Sequence, residues 1–309
     1  MELNYEWLTM QDGAQIYLRK WIDPNIKARA IVQIAHGMAE HIERYHDFAT
    51  FLLNNGFYVF GDDHRGHGRT GDRMGIMGYF ADHNGFDIVV DDLHEVTLHI
   101  KQQYPHLPVF LLGHSLGSFL SRRYIQKYAH ELSGVLLSGT AGNPGIASKL
   151  GKLVAKIEMR KVGKKSPSPL MNKVIFGSYN KGFENVKNKF AWLSRDEQVV
   201  EDYLKDPYCG FICTPTFFYD LLTGLELIHQ QKWNERIPRN LPMYIFSGDK
   251  DPVGANGIGV KRVIHLYEKL GMKSVDYTIY PEARHETLNE INKEEVYHNV
   301  IKWLNHQLK

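Results

Sequence analysis

Leu111-Leu112-Gly113-His114-Ser115-Leu116-Gly117-Ser118 is the stretch whose reading decides how this 309-residue chain folds. An apolar run, Val109-Phe110-Leu111-Leu112, leads into Gly-x-Ser-x-Gly, and residues 116–129 behind it carry a helical pattern. Strand, glycine-flanked serine and helix in that order make a strained turn that holds a hydroxyl clear of the backbone. Glycines two residues to either side avoid side-chain collisions at such a turn. A helix starting at Leu116 also aims backbone N–H groups and a positive dipole end at the serine, which suits a developing oxyanion. The competing reading, an incidental serine in a tight glycine turn, does not account for a strand before and a helix after.

Working outward from this turn, the first half alternates short β-branched runs with longer helical patterns, as strand–helix–strand units of a largely parallel sheet do. Ala30-Ile31-Val32-Gln33-Ile34-Ala35, residues 57–60 and Gly134-Val135-Leu136-Leu137-Ser138 read as strands. Residues 43–54 and 86–103 read as helices, the first closed by Asn54-Asn55-Gly56 and the second striped by Val89, Leu93, Val96 and Ile100. From 143 to 223 no strand-like run of comparable quality occurs. Alternation resumes with Met243-Tyr244-Ile245-Phe246 and Val275-Asp276-Tyr277-Thr278-Ile279. Asn292 and Glu295 occupy capping positions of a last helix with Val296, Val300 and Trp303 on its inner stripe. The expected organisation is a core of residues 1–142 and 224–309, interrupted by a mainly helical insertion at 143–223.

A serine hydroxyl needs a neighbouring base, and in an elbow of this kind the partners follow in the order Ser, carboxylate, His. Of the late histidines, His265 and His298 fall in helical patterns and His306 lies almost at the end of the chain. His285 follows the last strand in Tyr280-Pro281-Glu282-Ala283-Arg284-His285, the kind of loop at a strand's carboxyl end where an open parallel sheet assembles its site. It is the expected base. Ser247-Gly248-Asp249-Lys250-Asp251 offers two aspartates to orient it; spacing does not choose between Asp249 and Asp251, and Asp276 sits inside a strand. The loop His36-Gly37-Met38-Ala39-Glu40-His41 follows an early strand, and its Met38 N–H is the expected oxyanion donor beside that of Leu116.

Taken together, His36–His41, Asp63-His64-Arg65-Gly66-His67-Gly68, Gly113–Gly117, Gly248-Asp249-Lys250-Asp251 and His285 resemble the monoglyceride lipase and lysophospholipase branch of the α/β-hydrolases, grouped with the serine aminopeptidase-like hydrolases. The resemblance implies an α/β-hydrolase fold with a helical cap. It also places the triad acid on Asp251 and implies monoacylglycerols or lysophospholipids as substrates. Met38 stands where the branch often has a smaller residue, and the insertion matches only in length and helical character. A short-chain carboxylesterase is the alternative among esterases; a peptidase acting at a free N-terminus is a weaker one. Ser115 at the elbow argues against an Asp-nucleophile dehalogenase or epoxide hydrolase. A non-catalytic lipid- or partner-binding relative usually lacks a triad member, and here every position is filled.

Composition narrows the remaining classes. A formal net charge of +2 and 23% charged residues give no reason to expect nucleic acid as a partner. The start of the chain lacks a signal-peptide pattern and no apolar run reaches membrane-span length, so a cytoplasmic protein is expected. Cys209 and Cys213 form no disulfide framework and, by sequence alone, a poor zinc site. The acids and imidazoles of residues 62–68 read as a structural loop rather than a metal site, and the chemistry expected at Ser115 requires neither metal nor cofactor. Residues 149–165 interleave Lys149, Lys152, Lys156, Arg160, Lys161, Lys164 and Lys165 with Leu150, Leu153, Val154 and Ile157. The favoured reading buries the apolar side on the core and leaves the lysines in water; the alternative is contact with an anionic membrane. Trp192, Phe211, Phe217, Phe218 and Tyr219 are candidates either for an acyl pocket or for the insertion's own small core. Oligomeric state has no signature in the sequence.

Overall fold

Short apolar runs of this kind need cover on both faces, and a parallel sheet between helix layers supplies it. The computed structural model describes residues 4–184 and 186–309. Its strands are β1 (Tyr5–Thr9), β2 (Gln15–Trp21), β3 (Ala30–Ala35), β4 (Phe57–Asp62), β5 (Val109–His114), β6 (Gly134–Ser138), β7 (Met243–Gly248) and β8 (Val275–Tyr280). They form one sheet in the order β1-β2-β4-β3-β5-β6-β7-β8, parallel from β4 to β8. β1 and β2 form an antiparallel hairpin on its edge, and β2 joins β4 antiparallel.

Alternation along β5 sends side chains to two separate cores. Leu111 packs with Val89, Leu93 and Leu120 on one face, under α3 (Gly85–Gln103) and α4 (Leu116–Tyr128). Phe110 and Leu112 pack with Phe48, Val300 and Leu304 on the other, under α1 (His46–Asn54) and the last helix. A short helix, α2 (Gly68–Met74), follows β4. The last helix covers Lys293–Gln307 and starts differently from the expected capping box. Asn292 makes no side-chain cap: its amide donates to Glu295 Oε2 at 3.0 Å, and its oxygen accepts from Arg195 Nη2 at 2.9 Å.

Between β6 and β7 the described residues carry helices and no strand: α5 (Ile146–Lys161), α6 (Pro169–Phe176), α7 (Glu197–Lys205), α8 (Pro215–Leu227) and α9 (Gln231–Asn234). α8 crosses residue 223 and packs on α3, α4 and α5, so it belongs as much to the core's packing as to the cover. Of the apolar side expected to face the core, α5 turns Val154 inward and leaves Leu150, Leu153 and Ile157 largely exposed. Ser148, Gly151, Ala155 and Glu158 face inward, whereas Ile146, Leu150 and Leu153 are 76%, 60% and 57% exposed. Small residues explain the difference, because a Cβ on Gly151 would stand 2.7 Å from Leu222 Cδ1 of α8. Close helix–helix approach takes the small stripe and leaves the leucines to solvent. Among the described residues, no helix is long and apolar enough to cross a membrane.

Candidate active site

Ser115 joins β5 to α4 with φ +52° and ψ −115°, a left-handed conformation that a non-glycine residue adopts only under constraint. The constraint is visible in its neighbours. Ser115 N–H donates to Ser138 O of β6 at 2.9 Å. A Cβ on Gly117 would meet Ala35 O at 1.9 Å, so only glycine lets α4 start this close to the end of β3. The Leu116 N–H opens the helix, and Met38 lines the same cavity as Ser115 on the loop after β3.

His285 and Asp251 arrive from the loops after β8 and β7. His285 Nδ1 lies 2.9 Å from Asp251 Oδ1, an ion-pair contact not aligned as a full hydrogen bond. Such contacts often tighten only once substrate is bound. Burial works against a charge on His285, but the Asp251 carboxylate outweighs it and raises the imidazole above its ordinary pKa. Burial likewise opposes charge on Asp251, while His285 and the Val253 N–H hold its carboxyl below the usual range. Asp251 also accepts from Ser247 Oγ at 3.1 Å and Val253 N at 2.8 Å. Asp249, which spacing left open, instead accepts from Glu282 N at 2.7 Å in the turn. Asp276 accepts from Trp303 Nε1 at 2.9 Å on the far side of the sheet edge. The His285 ring sits between His114 and Trp192, with centroids 4.7 and 5.1 Å away. Burial and His285 push His114 down to about 4, so it stays neutral beside His285.

Ser115, His285, Met38 and Leu116 share the wall of a cavity of about 810 Å³ that reaches up to the covering helices. Val154, Phe176, Trp192, Phe211, Leu221 and Leu225 supply much of its apolar surface. The five aromatics divide: Trp192 and Phe211 line this space, while Phe217 and Phe218 are buried in the packing of α8. Tyr219 lies under Lys152 and Lys156 instead. The loop at 62–68 is an internal scaffold. Arg65 bridges Asp92 and Asp12 at 2.7 and 2.6 Å, and Asp63 accepts from Ile42 N and Arg69 N.

One network escaped the sequence reading. Arg44 makes a two-pronged contact with Glu286 at 2.8 and 2.7 Å and also pairs with Glu40. Glu40 in turn accepts from the Gly37 N–H and, at 2.8 Å, from Tyr45 Oη. Burial disfavours charge on Glu286, yet Arg44 brings its pKa down to about 2. The residue after His285 is thereby tied to the loop that carries Met38. Glu40 and Arg44 at i,i+4 were the available signal, but Glu286 lies 242 positions from Arg44.

The family described as Hydrolase_4, serine aminopeptidase S33, matches residues 26–292. A monoacylglycerol lipase of Mycolicibacterium smegmatis is 30% identical over 297 residues, spanning 94% of this chain and 93% of that one. The monoglyceride lipase of Rattus norvegicus is 28% identical, spanning 97% of this chain and 90% of its own. A thermostable carboxyl esterase from Bacillus coagulans, solved in complex with glycerol, superposes with a TM-score of 0.91 at 31% identity, covering 99% of this chain and 100% of that one. The sheet order, the serine turn and these similarities agree, and the chain belongs to the serine aminopeptidase S33 (Hydrolase_4) family, as a carboxylic-ester hydrolase of the α/β-hydrolase fold.

Proposed function

We propose that this enzyme cleaves the ester bond of monoacylglycerols or lysophospholipids through an acyl-enzyme on Ser115, with His285 as base, Asp251 as its orienting acid, and the Met38 and Leu116 N–H groups as oxyanion donors. His285 takes the Ser115 proton as the hydroxyl attacks the carbonyl, and the two N–H groups stabilise the oxyanion. His285 then protonates the leaving alcohol and, in deacylation, takes a proton from the attacking water. The observation that carries the reading is the apolar cavity of about 810 Å³ above Ser115, a volume suited to an acyl tail rather than a small acid. In this account residues 143–223 act as a cap over the core of 1–142 and 224–309.

The exposed leucines and lysines of α5 support a second part of the proposal, peripheral contact of the cap with an anionic membrane. The free thiols of Cys209 and Cys213 fit the cytoplasmic setting that completes it. A short-chain carboxylesterase is the alternative that one observation favours, the 0.91 TM-score with a carboxyl esterase.

Catalytic efficiency across acetyl to palmitoyl esters, below their aggregation concentrations, separates the two readings. Each buried methylene contributes up to about 0.8 kcal/mol, so efficiency is expected to climb by tens of fold toward medium or long chains. Val154→Trp, which fills part of the cavity wall, should flatten that rise while sparing acetyl esters. A flat profile in the unmodified enzyme supports the short-chain esterase instead.

A further inference from the structure

We propose that His41, Asp206 and Cys209 form a binding site for a thiophilic divalent cation of the zinc class, clasping the cap segment after α7 to the loop that carries Met38. Among the described residues this is the one cluster of three His, Cys, Asp or Glu side chains whose donor atoms all lie within 4.8 Å of one another. Imidazole nitrogen, carboxylate oxygen and thiolate sulfur are the donors zinc takes, and three protein donors plus a water complete a tetrahedron.

The fold holds the donors close together without making them share one element. His41 ends the loop after β3, and Asp206 and Cys209 follow α7. Two hydrogen bonds clasp the two segments already, from Gly210 N and Tyr203 Oη to Ala39 O at 2.9 and 2.8 Å. Asp206 Oδ1 is occupied by the Tyr208 N–H at 2.8 Å, which turns Oδ2 toward His41 Nε2, also at 2.8 Å. A tetrahedral ion between those two atoms needs them to open by less than about one ångström. The imidazole proton they share then moves to Nδ1.

Local charge accommodates the ion. Arg44 stands beside Cys209, but its guanidinium is already paired with Glu40 and Glu286. Burial pushes the Cys209 thiol well above its ordinary pKa, so the free protein keeps it protonated. Binding therefore forms a metal–sulfur bond and breaks S–H, the proton leaves to solvent, and no electron is transferred. Cys213 is fully buried and belongs to no such cluster, which makes it an internal control. The inference is independent of the substrate and of the role given to Ser115.

The test uses the reduced full-length enzyme, freed of metal by chelator dialysis and titrated with Co²⁺ as the probe. Near-ultraviolet thiolate-to-cobalt charge transfer with tetrahedral visible bands, both displaced by Zn²⁺, is the expected result. Cys209→Ser should abolish the charge-transfer band and Asp206→Asn should weaken binding by tenfold or more, whereas Cys213→Ser should keep both. Zn²⁺ at about a hundredfold excess over its Kd should raise Tm by roughly 5 °C in the unmodified protein and not in Cys209→Ser. Should Cys209→Ser fold poorly, Asp206→Asn decides the matter. Absence of the charge-transfer band, its persistence in Cys209→Ser, or an equal Tm rise in both proteins would overturn the proposal.

Discussion

At Ser115 the backbone itself is strained: φ +52° in a serine is a cost that packing of α4 against β3 imposes. His285 depends in the same way on what surrounds it. In the proposed mechanism its neutral form is the base, so kcat/KM should rise with pH through the imidazole pKa. Asp251 holds that pKa above the ordinary value, and the acid limb should lie correspondingly high. In Asp251→Asn the largest of the carboxylate effects opposing burial is gone and only the smaller ones of Glu286 and Glu40 remain, so the limb should move to lower pH. The plateau should fall on the order of 10⁴-fold as ring orientation is lost. A pH–rate profile measures both effects; an unshifted limb in the variant would mean another group titrates. Asp249→Asn is expected to leave turnover near normal, because an amide oxygen still accepts the Glu282 N–H. A larger loss there than in Asp251→Asn, in proteins of matched stability, would exchange the roles of the two aspartates.

At the level of elements, α5 makes the clearest prediction. Leu153 and Ile157 are 57% and 43% exposed and contribute little to the fold, while Gly151 and Ala155 are buried positions of the helix. Leu153→Glu combined with Ile157→Glu should therefore leave Tm unchanged. Binding to phosphatidylserine-containing vesicles should weaken by about ten- to a hundredfold, since only about half of each side chain is left to bury and the two together are worth about 1.5–3 kcal/mol. Equal co-sedimentation of variant and unmodified enzyme would remove α5 from any membrane contact. The same helix shows where sequence patterning loses its hold. An apolar stripe was legible, but which stripe a helix buries depends on the partner's shape, and small residues carry little hydrophobic signal. Strands buried on both faces were the opposite case: β3 and β6 coincide with their apolar runs because nothing but a sheet interior suits them. The β1–β2 hairpin went unread although Asp12-Gly13 marks its turn, because its half-buried strands mix aromatic and polar residues and lack such a run. Within the candidate site, the positions of Ser115 and His285 followed from local context. Pairings such as Arg44 with Glu286 and His41 with Asp206 join distant segments, and no local pattern announces them.

Over the whole molecule, one sheet carries Ser115, Asp251 and His285 at the carboxyl ends of β5, β7 and β8, and the helices between β6 and β7 enclose the space above them. α8 serves both parts, so the cover is built into the core's packing rather than appended to it. The central claim is that this arrangement transfers an acyl group to Ser115. Reaction with a long-chain alkyl fluorophosphonate, followed by peptide mass spectrometry, tests it most directly. The account predicts a single stoichiometric adduct on Ser115, loss of ester hydrolysis in step with labelling, and neither labelling nor turnover in a folded Ser115→Ala protein. Hydrolysis that persists in Ser115→Ala, or inactivation through an adduct on another residue, would contradict it.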